Sequence, residues 1–311
     1  MRIARDVVDA IGNTPMVQLG RVVPNGSARV FAKLEFANPT GSMKDRVAKA
    51  MVEAAAADGR LKPGGTVVEY TAGTTGISLA LVCAAKGFRS HMVYSDAFSH
   101  EKRLTMQAFG SQISIVKSDN KKITEKLIKE MIERAAQISK RPGHWCSDQL
   151  TNKDAVAGYY PLGEEIWNQT DGKLAAFVQA VGTAHSIHGA TKALWKHDRS
   201  IHVAAVEPAE SAVLSGEPTG SHKIEGVGIG FIPPLWEPDL VNEIIRVKTE
   251  DAKEMTRTLA RDEGLFVGTS SGANVVAALT VAKRLGQDAN VVTLMVDSGL
   301  RYLSTGLFGA I

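Results

Sequence analysis

Apolar positions along the chain fall into short clusters that alternate between the period of a strand and the period of a helix. Thr66–Tyr70 is a short apolar run, which is typical of a buried strand, and the helix-like Ile77–Lys86 follows it after a Gly/Thr loop. The same alternation predicts further strands at residues 91–94 and 112–117 and helices at residues 99–109 and 123–138.

The second half of the chain repeats this pattern around one long interruption. Glu210–Pro234 is rich in glycine and proline, which predicts a loop. Strands that alternate with helices at the observed spacing form βαβ units and parallel sheets. We therefore expect an α/β fold of two lobes, each a mostly parallel twisted sheet flanked by helices, with a ligand cleft between them. In this half the predicted strands are residues 174–181, 203–207, 244–247 and 291–296, and the predicted helices are residues 187–196, 251–263 and 273–285.

Composition and charge restrict the class of partner. The 311 residues are 44% apolar and 22% charged, as in an ordinary globular protein, and the formal net charge is only +3. The sequence has no basic cluster suited to nucleic acid and no apolar run long enough to span a membrane. The two cysteines, Cys83 and Cys146, lack metal or redox spacing, and the first residues lack a signal-peptide pattern. These features predict a cytoplasmic protein without nucleic-acid or membrane partners.

The first segment with candidate chemistry is Asn38–Arg46. Apolar residues at helical spacing follow it until Gly59, and Ser42 with Asp45 matches a capping box, which predicts a helix start at Ser42. Lys44 then lies in the first turn, where the helix dipole favours the neutral amine that a Schiff-base nucleophile needs. Taken alone, the segment favours a solvent-facing lysine on an amphipathic helix over a catalytic one.

Two further loops lie between a strand and a helix. Thr71–Gly76 offers backbone N–H groups and hydroxyls to a carboxylate or a phosphate, or else forms a tight turn. Gly182–Ser186 combines hydroxyls with a helix N-terminus, a combination that suits a phosphate dianion. His185 and His188 lack a third ligand nearby in sequence, so we predict no metal.

Glycine and serine mark two later loops. Gly226–Gly230 resembles a dinucleotide fingerprint but precedes Pro233 and Pro234 rather than a helix, which argues against a nicotinamide-dependent dehydrogenase. Gly268–Gly272 opens a helix, and its serines are either N-caps or hydrogen-bond partners of a bound ring.

In this order, the segments resemble the cysteine synthase and cystathionine β-synthase family, the fold type II pyridoxal-phosphate (PLP) enzymes. The resemblance runs from Ile11 to Thr305, and Asn38–Arg46 is its most specific match. It implies that Lys44 carries PLP as a Schiff base and later moves the substrate α-proton. It also implies a smaller mobile domain at residues 40–148 and a larger cofactor-binding domain at residues 1–39 and 149–311.

The resemblance also implies a reaction and a set of binding residues. The reaction is β-replacement on an activated L-serine-type amino acid through an aminoacrylate, with O-acetylserine and sulfide giving L-cysteine in a cytoplasmic homodimer. Ser270 corresponds to the hydroxyl that pairs with the pyridine nitrogen. The implied cofactor residues are Lys44, Thr74, Gly182, Thr183, Ala184, His185, Ser186, Gly226 and Ser270; the implied substrate residues are Thr71, Ala72, Thr74, Thr75, Gln149 and Gly228.

Phe98 stands where a methionine is common in the family, and four positions of the substrate and phosphate loops also depart from the family pattern. Ala72 and Thr74 replace a serine and an asparagine of the substrate loop, and Ala184 and His185 replace two glycines of the phosphate loop. A β-carbon at these former glycines either crowds the phosphate or demands a different backbone angle. The departures leave open cystathionine synthesis, cysteine desulfhydration, diaminopropionate-type synthesis, and a catalytically weak relative that binds cofactor or a partner.

Overall fold

The computed structural model describes residues 3–122 and 124–309. Ile123, the first residue of one predicted helix, lies outside them. The chain divides into two compact units. The smaller one contains residues 38–158 with the N-terminal stretch up to Ile11, and the larger contains Gly12–Ala37 and the chain from Tyr159 onward. The predicted domain boundaries and mobility stay predictions.

Helices and strands alternate along both units. The strands are β1 (Met16–Gln18), β2 (Arg29–Lys33), β3 (Thr66–Tyr70), β4 (Arg89–Ser95), β5 (Gln112–Val116), β6 (His144–Cys146), β7 (Ala176–Ala180), β8 (His202–Pro208), β9 (Glu243–Val247) and β10 (Asn290–Leu294). The α-helices are α1 (Lys44–Ala57), α2 (Thr74–Lys86), α3 (His100–Ala108), α4 (Glu125–Ser139), α5 (Asp154–Ala157), α6 (Tyr160–Gln169), α7 (His185–His197), α8 (Thr249–Asp262) and α9 (Thr269–Leu285).

The smaller unit is built on a parallel sheet in the order β5-β4-β3-β6. Helix α4 packs on this sheet through buried residues three or four positions apart, which lie on one helix face. The Thr124 hydroxyl accepts a hydrogen bond from the Leu127 N–H and caps the start of α4. This core supports β3, whose carboxyl end leads into Thr71–Gly76. The buried face of α4 consists of Leu127, Met131, Ala135 and Ile138.

The larger unit has a sheet in the order β1-β2-β10-β7-β8-β9. All neighbouring strands are parallel except the edge pair of β1 and β2. The central strands β7 and β10 are buried along their whole length, as expected for a sheet covered on both faces. The parallel order brings the carboxyl ends of the strands to one edge, where α/β folds bind their ligands.

The α/β prediction with mostly parallel sheets flanked by helices is confirmed. The main differences lie at helix starts. Helices α2, α7 and α9 begin two to four residues earlier than predicted, at Thr74, His185 and Thr269, so residues assigned to loops lie in first turns. The short elements β1, β2, β6, α5 and α6 were not predicted. In the part of the chain that the structure describes, no helix combines the length and apolarity needed to cross a membrane.

Candidate active site

Lys44 is the first residue of α1, so its predicted place in the first turn is observed. The predicted capping box is wrong, because Met43 rather than Ser42 occupies the N-cap position. The Ser42 hydroxyl instead accepts a hydrogen bond from the Lys44 N–H at 3.2 Å. The Asp45 carboxylate accepts from the N–H and the hydroxyl of Thr40, at 2.7 and 2.5 Å. These contacts fix the turn that carries the half-buried Lys44.

The Thr71–Gly76 segment is held by its own threonines. The Thr71 hydroxyl oxygen accepts from the N–H groups of Gly73 and Gly76, at 2.9 and 3.1 Å. Gly73 has a φ of 126°, and a β-carbon there would lie 2.5 Å from Lys102 Cδ. Only glycine fits this position, so the tight turn leads directly into the N-terminus of α2.

Gln149 joins this loop from the segment after β6. The Thr75 hydroxyl donates to Gln149 Oε1 at 2.9 Å, and Gln149 Nε2 donates to the Tyr70 carbonyl at 3.0 Å. The structure therefore brings Thr71, Thr75 and Gln149 together, as the sequence resemblance implied. Ala72 is exposed at the tip of the turn, and Thr74 is half-buried at the start of α2.

Glu69 is a residue of this region that the sequence analysis missed. It is fully buried in β3, where its Oε2 accepts from the Ser147 hydroxyl at 2.7 Å and from the Gln149 N–H at 3.0 Å. Burial raises the pKa of Glu69 to about 8, against the opposing effect of these hydrogen bonds. Among the described residues, Glu69 Oε1 has no hydrogen-bond partner. The sequence feature that could have identified Glu69 is a charged residue inside a mostly apolar strand.

In the larger unit, the predicted phosphate loop connects β7 to α7. Ala184 is the N-cap of α7 and has a φ of 68°, in the left-handed region. The alanine thus keeps a backbone angle that glycine adopts without steric cost. A β-carbon at Gly182 would lie only 2.3 Å from the Gly226 carbonyl oxygen. This close approach joins two residues that the resemblance assigned to the cofactor.

The glycine loop is pinned against both neighbouring segments. The Gly228 N–H donates to the Val181 carbonyl at 3.0 Å, beside the phosphate loop. The Glu225 N–H donates to the Thr269 hydroxyl at 3.1 Å, at the start of α9. Hydrogen bonds therefore tie the phosphate, glycine and serine loops into one cluster, and no helix opens at Gly226–Gly230.

Ser270 lies in the first turn of α9 and is 2% exposed. The N-cap is Gly268 rather than a serine, so the N-cap interpretation of the serines is wrong. The Ser271 hydroxyl is occupied elsewhere, since it accepts a hydrogen bond from the backbone N–H of Val296 at 2.9 Å. Ser270 remains the hydroxyl available to a ligand ring.

The two histidines of α7 have different surroundings. His185 Nδ1 lies 3.0 Å from the Thr183 hydroxyl, inside the phosphate loop. His188 Nδ1 lies 3.1 Å from the Leu235 carbonyl, and its ring packs against Trp236 at 5.1 Å. Burial lowers the pKa of His188 to about 4, so the ring is neutral and its Nδ1–H donates to this carbonyl. His188 thus anchors the segment before β9. Residues 3–122 and 124–309 contain no group of three or more side chains suited to hold a metal ion.

The cluster in the larger unit has the properties of a phosphate site. It offers the N-terminus of a helix, whose first N–H groups lack intrahelical acceptors, and the buried hydroxyl of Ser186. A family model described as "Pyridoxal-phosphate dependent enzyme" matches residues 7–297 of the chain. The chain belongs to this family.

Relatives within the pyridoxal-phosphate dependent enzymes cover nearly the whole chain. A cysteine synthase of Staphylococcus aureus is 39% identical over 305 residues, which are 97% of this chain and 96% of the relative. The crystal structure of a cysteine synthase from Entamoeba histolytica superimposes with a TM-score of 0.91 at 36% identity, covering 99% of this chain and 91% of that one. An O-acetylserine dependent cystathionine β-synthase from Helicobacter pylori gives a TM-score of 0.91 at 34% identity, covering 99% and 100%.

The residues present fit PLP. The cofactor of this family carries a phosphate, and the α7 N-terminus offers helix N–H groups together with the hydroxyls of Thr183 and Ser186. The buried Ser270 offers a neutral hydroxyl, and the first turn of α1 offers a primary amine. The chain is therefore a PLP-dependent enzyme of the cysteine synthase type.

Proposed function

We propose that this protein makes L-cysteine from O-acetylserine and sulfide by β-replacement. The observation that carries the proposal is the identity with a cysteine synthase over almost the full length of both chains. The local geometry supports it, because four of the segments that the sequence resemblance assigned to the site lie at the starts of α1, α2, α7 and α9.

Lys44 is proposed as the catalytic residue and as the anchor of the cofactor. Lys44 is the first residue of α1, where the positive end of the helix dipole destabilises its charged ammonium form. The neutral amine is the form that attacks a carbonyl and the form that accepts a proton. We assign to it the removal of the proton from the substrate Cα. When bound, PLP supplies an electron sink that makes this proton acidic and lets the β-substituent depart.

The substrate carboxylate is assigned to the start of α2. The N–H groups of this first turn carry partial positive charge, and the Thr75 hydroxyl is oriented by Gln149. Gln149 is in turn fixed by the Tyr70 carbonyl and by Glu69, so hydrogen bonds hold the Thr75 hydroxyl in one orientation. An ordered site loses less conformational entropy when it binds its ligand.

The cofactor phosphate is assigned to Gly182–Ser186 and the ring nitrogen to Ser270. A serine hydroxyl at the ring nitrogen does not hold it protonated, as a carboxylate would. With Ser270 at this position, bound PLP would supply a weaker electron sink, which would favour prompt loss of the β-leaving group. Both assignments depend on the buried positions of Ser186 and Ser270.

We further propose a homodimer in the cytoplasm. The two cysteines, Cys83 and Cys146, are both free thiols, which supports a reducing compartment. The family resemblance supports the dimer. Light scattering after size-exclusion chromatography at two concentrations tests it, and a mass of 33.2 kDa, that of a single chain, would contradict it.

A donor screen tests the proposed reaction. The recombinant protein, reconstituted with PLP, is given sulfide together with O-acetylserine, serine, O-phosphoserine or cysteine, and new thiol products are identified by mass spectrometry. We expect L-cysteine from O-acetylserine, and we expect Lys44→Ala to form none. Turnover with another donor but none with O-acetylserine would contradict the assignment. Thr74 is the departure from the family pattern that bears most on this test, because it lacks the side-chain amide of the asparagine that the family has there.

A further inference from the structure

A chain of buried amides runs behind the phosphate loop. Asn274 of α9, Gln179 of β7 and Ser186 of α7 are 0%, 0% and 5% exposed. Asn274 Nδ2 donates to Gln179 Oε1 at 2.8 Å, and Gln179 Nε2 donates to the Ser186 hydroxyl oxygen at 3.0 Å. The family pattern does not assign Gln179 or Asn274 a role.

The direction of this chain is fixed by two backbone groups. Asn274 Oδ1 accepts from the Ala180 N–H at 2.7 Å, and Asn274 Nδ2 also donates to the Leu294 carbonyl at 2.8 Å. An N–H can only donate and a carbonyl can only accept, so the Asn274 amide has one possible orientation. Gln179 must then turn its oxygen toward Asn274 and its NH₂ group toward Ser186.

This orientation decides what the Ser186 hydroxyl can do. Because its oxygen already accepts from Gln179, the hydroxyl hydrogen is directed away from Gln179. Among the described residues, this hydrogen bond from Gln179 is the only one that the Ser186 hydroxyl makes. Ser186 is the second residue of α7, where the helix N–H groups also converge.

We propose that Gln179 is a positioning residue that commits the Ser186 hydroxyl to donate a hydrogen bond to the phosphate of the cofactor. Asn274 sets the orientation of Gln179 and lies one helical turn after Ser270 in α9. Asn274, Gln179 and Ser186 thus form a hydrogen-bonded relay. This relay connects Ser186, the residue assigned to the phosphate, with α9, the helix assigned to the ring nitrogen. The inference rests on the proposed PLP site and names the residue that orients one of its contacts.

The test compares PLP with pyridoxal, which lacks the phosphate. The dissociation constants of both for the apoprotein are measured by fluorescence, without any assay of activity. Gln179→Leu keeps the volume of the side chain but loses the donor, so the hydroxyl is free to turn away from the phosphate. We expect the dissociation constant for PLP to rise about tenfold, as for a lost hydrogen bond to a charged group, and that for pyridoxal to change little.

A double-mutant cycle separates positioning from general damage. Ser186→Ala should lower the preference for PLP over pyridoxal by a similar factor, and adding Gln179→Leu should lower it no further. Thr191→Val is the matched control, since it removes a buried hydroxyl of the same helix α7 outside the relay; its preference should match the wild type. The ³¹P resonance of bound PLP should shift in Gln179→Leu and not in Thr191→Val.

Gln179→Glu provides a second variant if the leucine variant fails to fold. A carboxylate accepts the hydroxyl hydrogen of Ser186 and turns it away from the phosphate, so the preference for PLP should fall at least as far. An unchanged preference in every folded Gln179 variant would overturn the inference and leave the proposed function standing. A wild-type protein that does not bind PLP would overturn the proposed function itself.

Discussion

Ala184 holds a left-handed backbone angle at the N-cap of α7, with a φ of 68°. A β-carbon costs roughly 1 kcal/mol in this region, whereas glycine adopts it freely. We therefore expect Ala184→Gly to raise the free energy of unfolding of the apoprotein, by about 0.5 kcal/mol once the larger entropy of the unfolded glycine chain is included. Urea denaturation measures this difference.

The control for this substitution lies in the same helix. Ala190 is fully buried in the middle of α7, so Ala190→Gly should lower the free energy of unfolding by about 1 kcal/mol. Equal destabilisation by Ala184→Gly and Ala190→Gly would show that the alanine at the N-cap carries no strain.

Glu69 gives the smaller unit a pH-dependent stability. Burial raises the pKa of this carboxyl to about 8 from an ordinary value of 4.5. Between these values the native state holds a proton that the unfolded state has lost. The contribution is therefore fully present below about pH 4.5 and is lost as the pH rises through about 8. The slope is at most about 1.4 kcal/mol for each pH unit.

Glu69→Gln should remove this dependence, because the amide does not titrate. The difference in free energy of unfolding between Glu69→Gln and the wild type should thus shift in favour of the variant as the pH rises from about 5 to about 8. Urea denaturation at several pH values measures it. A difference that stays constant over this range would show that Glu69 is ionised in the native state.

At the scale of elements, the phosphate loop depends on the approach of two backbone segments. A β-carbon at Gly182 would lie 2.3 Å from the Gly226 carbonyl oxygen, so Gly182→Ala must push β7 and the glycine loop apart. We expect the dissociation constant for PLP to rise more than about tenfold, since the N–H groups to which we assign the phosphate would move with the loop. Titration of the apoprotein with PLP measures it.

Gly20→Ala is the control for this prediction. Gly20 belongs to the same unit, and a β-carbon there would meet no atom within 4 Å. Its affinity for PLP should equal that of the wild type. Wild-type affinity in Gly182→Ala as well would contradict the assignment of the phosphate to this loop.

Hydrophobic periodicity predicted most elements but placed several helix starts too late. The residues by which α2, α7 and α9 begin earlier than predicted, at 74–76, 185–186 and 269–272, are threonine, serine, glycine and histidine, which interrupt the apolar pattern. They are helical because a strand end and buried side chains hold them, and tertiary contacts of this kind are invisible to a periodic pattern. Strands β1 and β6 have three residues each, too few to show a period.

For the whole molecule, the fold and the cofactor class could be predicted because several turn sequences occur in one order along the chain. The residues that support the candidate site could not be predicted in this way. Glu69, Gln179 and Asn274 are polar residues next to apolar neighbours, and their partners lie 78 and 94 positions away for Glu69 and Asn274 and on another element for Gln179. The substrate is the least predictable feature, since Thr74 departs from the family pattern in the loop to which we assign the substrate carboxylate.

We assign the cofactor to Lys44, and borohydride reduction identifies the lysine to which PLP is attached. Reduction of the protein reconstituted with PLP makes a lysine linkage permanent, and peptide mass spectrometry then locates the added pyridoxyl group. Lys49→Ala, which removes another lysine of α1, is the control. We expect the pyridoxyl group on Lys44 in the wild type and in Lys49→Ala. We expect no pyridoxyl group on any lysine in Lys44→Ala. A pyridoxyl group on a different lysine of the wild-type protein, or no pyridoxyl group at all, would show that Lys44 does not carry the cofactor.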